Sequence, residues 1–451
     1  MVIWRYIAGF LLIGYLSMAR SFAYLGVPPV FVGELALVTF LLLKPRVALG
    51  TWAASLLRPS PLNLLGLTLF AFMAYGVWQV GRGIFNGVPL VQTLKFFVFN
   101  YYALYLFFGL WIALHAPDHL RGLVRAIAWV NGIYGLCYIV ALRYVTASVP
   151  GTEVPLFSPP TGQVVVVLGL LCFERDLRAV WFILVLNIVI TLVWQVRAEW
   201  LGLAVGCLAW GLLTGRLGRV VAIGLAGIAA IGLFELAGIQ LAGRSGDAAT
   251  LSENLARVIA PIDLELAKEF SPNAAYHAGT ARWRELWWER IWLSVHSTTL
   301  LEAFGHGYGF DLFGLAPGEV RAGQEDRDVR TPHSVFLYAL GYTGWIGVAL
   351  FAAFQYAVVK MLWRAYRVSG QPVGVTWWAM GLAMAMFQES FETPFRAIPF
   401  YLLIGLAMAP ALRSQGEREP LSARTHRFGR LSGRPASVRL SGRASAEGAR
   451  E

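Results

Sequence analysis

Apolar runs of membrane-spanning length recur from the N-terminus to about Pro410, and they constrain the fold more than any motif does. A helix crosses the hydrocarbon core with about 20 residues. Lipid offers the backbone no hydrogen-bond partners, so each run must satisfy its own N–H and C=O groups, which predicts an all-α polytopic membrane protein. Composition agrees, since the 451 residues are 57% hydrophobic and 14% charged, against roughly 25% charged in a soluble domain. The runs lie near Tyr6–Phe22, Val30–Leu43, Asn63–Val80, Leu90–Leu114, Leu123–Leu142, Gly162–Phe173, Val180–Val196, Trp200–Leu213, Val220–Leu241, Ser334–Trp363, Thr376–Gln388 and Ile398–Leu412. They predict about twelve spanning helices and leave no room for a soluble catalytic domain of ordinary size. The first run has a basic residue and an apolar stretch but no small-residue cleavage site after it, so it reads as a retained first span.

The formal charge of +11 does not point to nucleic acid, because Lys and Arg fall mainly in short loops and in the C-terminal tail. With a cytoplasmic N-terminus, the inner loops carry Lys44, Arg46 and Arg58, then Arg121 and Arg125, Arg175 and Arg178, Arg216 and Arg219, and Lys360, Arg364 and Arg367. Every second loop is then basic, as the positive-inside rule asks. The remaining loops face outward: a short one with Asn86, one around Pro150–Pro160, a tight turn at Arg197–Glu199, the long segment Ala242–His333 and a turn at Glu389–Arg396. The chain therefore divides into an N-terminal helix bundle over 1–241, a long extracytoplasmic loop over 242–333, C-terminal membrane helices over 334–412 and a tail over 413–451. That tail is rich in Arg, Ser, Gly and Pro and is expected to be disordered in the cytoplasm. It suits attraction to anionic lipid headgroups or a solvated topology anchor equally well. Cys137, Cys172 and Cys207 all lie in apolar runs and read as small packing residues rather than a disulfide framework.

The long loop is where function is to be sought, since loops beyond about 15 residues in compact proteins are commonly functional. A helix is expected from Ser252 to Phe270, with Leu255, Ile259, Leu264 and Leu266 as its apolar positions. Between Arg284 and Leu301 the spacing of Leu286, Trp287, Ile291, Trp292, Val295 and Leu300 predicts a helix with an aromatic face, suited to the membrane interface. GHGYGF at Gly305–Phe310 reads as a flexible turn. It is no phosphate loop, because no strand precedes it and no Lys-Ser/Thr follows.

A few polar residues at the outer rim carry the chemistry this chain has to offer. His333 ends the loop just before the apolar run from Ser334, after Arg330, Thr331 and Pro332. Imidazole titrates near neutrality and can take a proton from a hydroxyl, while a capping or interfacial His is the plainer reading. Arg197 stands at the outer end of a run beside Glu199, where a guanidinium is costly unless paired or used, a snorkelling Arg or a local pair being the alternative. Arg282, Arg284 and Arg290 lie in the Trp-rich segment. Their planar forks match phosphate oxygens, so Arg197 with Arg284 can grip a diphosphate, against interfacial lipid contact as the simpler role. Glu389 and Glu392, three apart before Pro394, are expected to share a helical face and to orient an Arg or the His. Asp326 and Asp328 sit in an exposed charge run. No His/Cys metal spacing and no Gly-Lys-Ser/Thr appears, which argues against a metal site and nucleotide hydrolysis.

Taken in order, WRELWW at Trp283–Trp288, GHGYGF at Gly305–Phe310 and RTPHSVFLYALGYTGWIG at Arg330–Gly347 resemble the O-antigen ligase and Wzy-type polymerase superfamily. QESFETPF at Gln388–Phe395 and the Arg of QVRAEWLG at Gln195–Gly202 are similar to family positions too. Ser334 stands where the family usually has Asn. The resemblance implies a membrane-embedded, metal-independent, inverting glycosyltransferase of the GT-C-like type, in the bacterial cytoplasmic membrane with its site facing the periplasm or exterior. It needs no cofactor. Its implied partners are a polyprenyl diphosphate-linked glycan donor, a saccharide or lipid-glycan acceptor, membrane lipids and a chain-length regulator protein. The resemblance carries the base to His333 and diphosphate binding to Arg197 and to Arg284 or Arg282, with Arg330, Glu389 and Glu392 in support. Polymerase is preferred over ligase. A polytopic transporter of polysaccharide or lipid-linked precursors is the rival, and it would favour midplane charges or broken helices.

Overall fold

The computed structural model describes residues 2–27, 30–44, 62–116, 119–174, 176–237, 250–316, 318 and 331–416. Arg330, Asp326, Asp328, Arg46, Arg58, Arg175 and the tail beyond 416 therefore lie outside the described residues.

Each apolar run that the sequence marks becomes a helix. In chain order these are α1 Val2–Ala23, α2 Val32–Leu43, α3 Asn63–Phe85, α4 Leu90–Tyr101, α5 Tyr105–His115, α6 His119–Val140, α7 Gln163–Phe173, α8 Trp181–Trp194, α9 Arg197–Thr214 and α10 Leu217–Leu236. The polar segment adds α11 Leu251–Ile259, α12 Leu264–Phe270, α13 Ala274–Val295 and α14 Thr299–Phe304, before α15 Val335–Ser369, α16 Val373–Ala385 and α17 Pro394–Gly416 close the fold. Among the described residues the only sheet is a two-stranded hairpin, Gly26–Val27 against Val30–Phe31. The protein is thus all-α and polytopic.

Among the described residues seven helical segments are long and apolar enough to cross a membrane, with α4 and α5 forming one of them through a short 3-10 turn. Helices α2, α7 and α16 are shorter apolar helices. With 12 residues, α2 reaches only about 18 Å at 1.5 Å per residue, short of a bilayer core of about 30 Å. The apolar pattern locates each of these helices but not how far each one reaches across the lipid.

Helices α5 and α17 make the closest crossing. A Cβ on Gly109 would lie 2.1 Å from the Leu402 carbonyl oxygen, and one on Gly405 2.0 Å from that of Leu106. Small residues let the backbones touch, which is how helices gain packing where lipid removes the hydrophobic drive to associate. Where α9 meets α16, Gly202 instead makes room for the Met384 side chain.

The polar segment departs from its expected form in two places. The single helix expected over Ser252–Phe270 is broken into α11 and α12 around Pro261, which cannot supply the N–H that a continuous helix needs. Asp263 caps the second piece by accepting from the Leu266 N–H at 3.0 Å. Helix α13 starts earlier than expected and stops at Val295, and it is packed into the fold rather than laid along a surface. Trp287, Ile291 and Val295 are fully buried, with Ile291 and Leu312 against Gly341 of α15, while Leu286, Trp292 and Leu300 are exposed.

Candidate functional site

The GHGYGF turn is the first departure within the site. It is fixed rather than flexible. Gly344 breaks α15 with φ +64°, ψ −170°, and the break frees the carbonyls of Gly341 and Tyr342 to accept from the N–H groups of His306 and Gly307, both at 2.9 Å. Arg82 and Gln79 of α3 donate to the Phe304 carbonyl at 2.8 and 2.9 Å, and Arg82 also to that of Gly305 at 3.1 Å. A side chain at residue 305 or 344 would run into backbone within 2.6 Å, so glycine is required at both. His306 is stacked on Phe310 at 4.0 Å and pairs with the Ser294 hydroxyl at 3.0 Å. Burial, helped by the Arg82 cation, pushes its imidazole down to about 4. His306 is thus held as a structural group of the turn.

His333 sits immediately before α15 with φ +56°, a left-handed conformation that costs a non-glycine residue about 1–2 kcal/mol. Its backbone N–H donates to Thr331 Oγ1 at 3.3 Å, and that hydroxyl in turn donates to Glu392 Oε1 at 2.7 Å. The other carboxylate oxygen accepts from the Ser390 N–H at 3.0 Å. Trp288 Nε1 donates to the Pro332 carbonyl at 2.7 Å, and the Trp283 ring stands edge-on to the His333 imidazole at 6.5 Å. Each residue of the Thr331–His333 turn is therefore held by a neighbour from another element. Ser334 occupies the N-cap position of α15, yet its side chain makes no capping bond.

Glu389 and Glu392 do not share a helical face. Helix α16 ends at Ala385 and α17 begins at Pro394, so both carboxylates belong to an irregular loop. Pro394 disfavours helix at the residue before it, and Glu392 turns inward to its two donors. Burial pushes its carboxyl up to about 7 despite the hydrogen bonds from Thr331 and Ser390.

This 386–393 loop touches the Thr331–His333 turn and Arg284. Arg284 reaches the Phe387 carbonyl in a long contact at 3.5 Å, with its guanidinium 5.6 Å from the Trp283 ring centre. It is half-buried on the face of α13 that carries Trp287 and Trp288, whereas Arg282 and Arg290 are exposed. Arg197, the first residue of α9, donates to the Arg257 carbonyl of α11 at 3.3 Å. Two residues on, buried Glu199 pairs with Arg396 in the first turn of α17 at 3.2 Å. The chain starts of α9, α15 and α17 are thereby linked, α9 to α17 through Glu199 and Arg396, and α15 to α17 through Thr331 and Glu392. Helix starts present unsatisfied N–H groups and positive dipole ends, so three of them with several guanidinium groups favour a negatively charged ligand.

Sequence reasoning missed Arg396 and Thr331. Arg396 carried a signal, being a cation at the head of an apolar run, where charge is costly unless used. Thr331 carried none, since its role depends on Glu392 arriving from 61 residues away.

Residues 165–352 match the family model described as O-antigen ligase. That span takes in Arg197, Arg282, Arg284 and His333 and ends before the loop that holds Glu392. No curated protein matches the chain.

Proposed function

We propose, on the premise that this membrane protein carries an O-antigen ligase domain of the Wzy-type superfamily over residues 165–352, that it moves a glycan from a polyprenyl diphosphate to a sugar hydroxyl. Family membership itself implies lipid-linked glycan substrates in general. The finer reading is transfer at the outer face of the bacterial cytoplasmic membrane by an inverting reaction that uses no metal ion, with polymerase preferred over ligase. The loop 242–333 is extracytoplasmic in this reading, between the bundle 1–241 and the helices 334–412, and the tail 413–451 is cytoplasmic.

The His333 imidazole takes the proton of the acceptor hydroxyl as its oxygen attacks the anomeric carbon. The bond from that carbon to the diphosphate oxygen breaks on the opposite side, and the electron pair leaves with the diphosphate. Arg197 and Arg284 stabilise the charge that grows there. The donor arrives already activated, so no nucleotide pocket is required. One observation supports this reading above the others: the 386–396 stretch contacts the His333 turn, Arg284 and the start of α9. The break in α15, a feature a transporter would also use, is taken up by backbone bonds to the 305–307 turn.

Glycan profiling after deletion of the gene tests the activity. A polymerase predicts single repeat units still attached and long chains absent. A ligase predicts lipid-linked polymer that never reaches its acceptor, and an unchanged glycan profile contradicts both.

A further inference from the structure

Helix α11 is turned the opposite way from a helix on a soluble surface. Its polar residues Glu253, Asn254 and Arg257 are buried, while Leu255 and Val258 are 40% and 50% exposed. Apolar residues face outward readily at a membrane interface, but charges turned inward are costly unless paired or used. What they face is the joint between α8 and α9. Gln195 Nε2 donates to Asn254 Oδ1 at 3.0 Å, and Arg197 Nη1 to the Arg257 carbonyl at 3.3 Å.

The joint is suited to an anion. No side chain caps the start of α9, an 18-residue helix whose positive dipole end favours negative charge. Arg197, Arg257 and Arg396 bring three guanidinium groups against two carboxylates, and both carboxylates are engaged: Glu199 by Arg396 at 3.2 Å, and Glu253 by Arg257 at 3.5 Å and by the Ser271 hydroxyl. Burial, and then the Arg257 charge, disfavour the cation at Arg197, whereas an anion beside both would attract each of them. The amide pair supplies a separate sign of a ligand. Asn254 Nδ2 and Gln195 Oε1 are buried with no hydrogen-bond partner among the described residues, and buried polar atoms are nearly always satisfied. Turning both amides over exchanges their roles and still leaves one donor and one acceptor unmet. A glycosyl diphosphate supplies the complement of both, anionic oxygens for the donor and a sugar hydroxyl for the acceptor.

We propose that Arg257 and Asn254 of α11, with the start of α9, hold the diphosphate of the lipid-linked donor. This rests on the function proposed above and adds two binding residues to Arg197. Glu253 then competes with the ligand for the Arg257 guanidinium, which sets the sign of the test.

The test is the dissociation constant of geranylgeranyl diphosphate for the full-length protein in nanodiscs. Arg257→Gln should weaken binding by about tenfold or more, and so should Asn254→Asp, which keeps the shape and adds a negative charge. Glu253→Gln should tighten it. A purely structural ion pair predicts instead that Arg257→Gln and Glu253→Gln both lower the unfolding temperature and leave binding unchanged, and that result overturns the proposal. Inorganic pyrophosphate should compete with the probe and phosphatidylglycerol should not. Equal competition by phosphatidylglycerol makes the joint a site for bulk lipid and also overturns it. Should Arg257→Gln fail to fold, Asn254→Asp and Glu253→Gln still decide. If the variants shift binding as expected while deletion leaves cellular glycans unchanged, the anion site stands and the transferase reading falls. If deletion alters the glycans while the variants bind like the unmodified protein, the reverse holds.

Discussion

At the scale of the residue, the arrangement around His333 turns one hydroxyl into a positioning device. Thr331 Oγ accepts from the His333 N–H and donates to Glu392, so it holds a left-handed backbone that a non-glycine residue does not adopt unaided. Thr331→Val keeps the shape and removes both bonds. It should lower kcat for glycan transfer by about tenfold, in line with the loss of one well-formed hydrogen bond, with little change in KM. Thr331→Ser should restore the rate, and an unchanged kcat in the Val variant would show that the turn needs no such support. The two loop arginines differ in the same checkable manner. Arg284 is half-buried against the 386–393 loop and Arg282 is exposed, so Arg284→Ala should reduce transfer by about 10²-fold and Arg282→Ala by only a few-fold. The opposite order, read in the same membrane assay, would make Arg282 the phosphate ligand. His333 and Arg197 stand out in the sequence as polar residues at the edges of apolar runs, and Arg284 as a guanidinium in a Trp-rich segment. Their support does not, since it comes from residues distant in the chain.

Among the elements, helix positions could be read from apolar runs while helix ends and breaks could not. Gly344 shows why: it sits within a continuous apolar pattern, and only the approach of the 305–309 turn makes a break there favourable. Pro261 was a readable stop and splits α11 from α12. Of the six apolar positions read from helical spacing, Trp287, Ile291 and Val295 are buried while Leu286, Trp292 and Leu300 are exposed, because α15 covers only one side of α13, and spacing does not reveal that partner. The turn against α15 also carries a pH dependence. His306 is held neutral in the fold, well below its ordinary value near 6.5, by burial and then by Arg82. The unfolded chain therefore binds a proton that the folded one refuses. Its contribution to stability is complete above about pH 6.5 and is lost as pH falls toward 4. Thermal unfolding in detergent should show His306→Gln to be less sensitive than the unmodified protein over that window. Equal pH dependence in both would remove His306 from the account.

The whole molecule brings the 386–396 stretch into contact with the turn before α15, with Arg284 and with the start of α9. Membrane class and helical architecture followed from the runs alone, because a bilayer permits few alternatives. Which helices meet depends on small residues such as Gly109, Gly202 and Gly405, whose partners no spacing rule names. In the proposed function His333 acts as the base on a lipid-linked donor at the non-cytoplasmic face. Turnover of a polyprenyl diphosphate-linked glycan by protein in sealed proteoliposomes of known orientation, compared with His333→Ala, tests it directly. Transfer is expected only when the donor faces the side carrying residues 250–333, with a loss of about 10²–10⁴-fold in the variant and donor binding kept. Wild-type turnover by His333→Ala would contradict it.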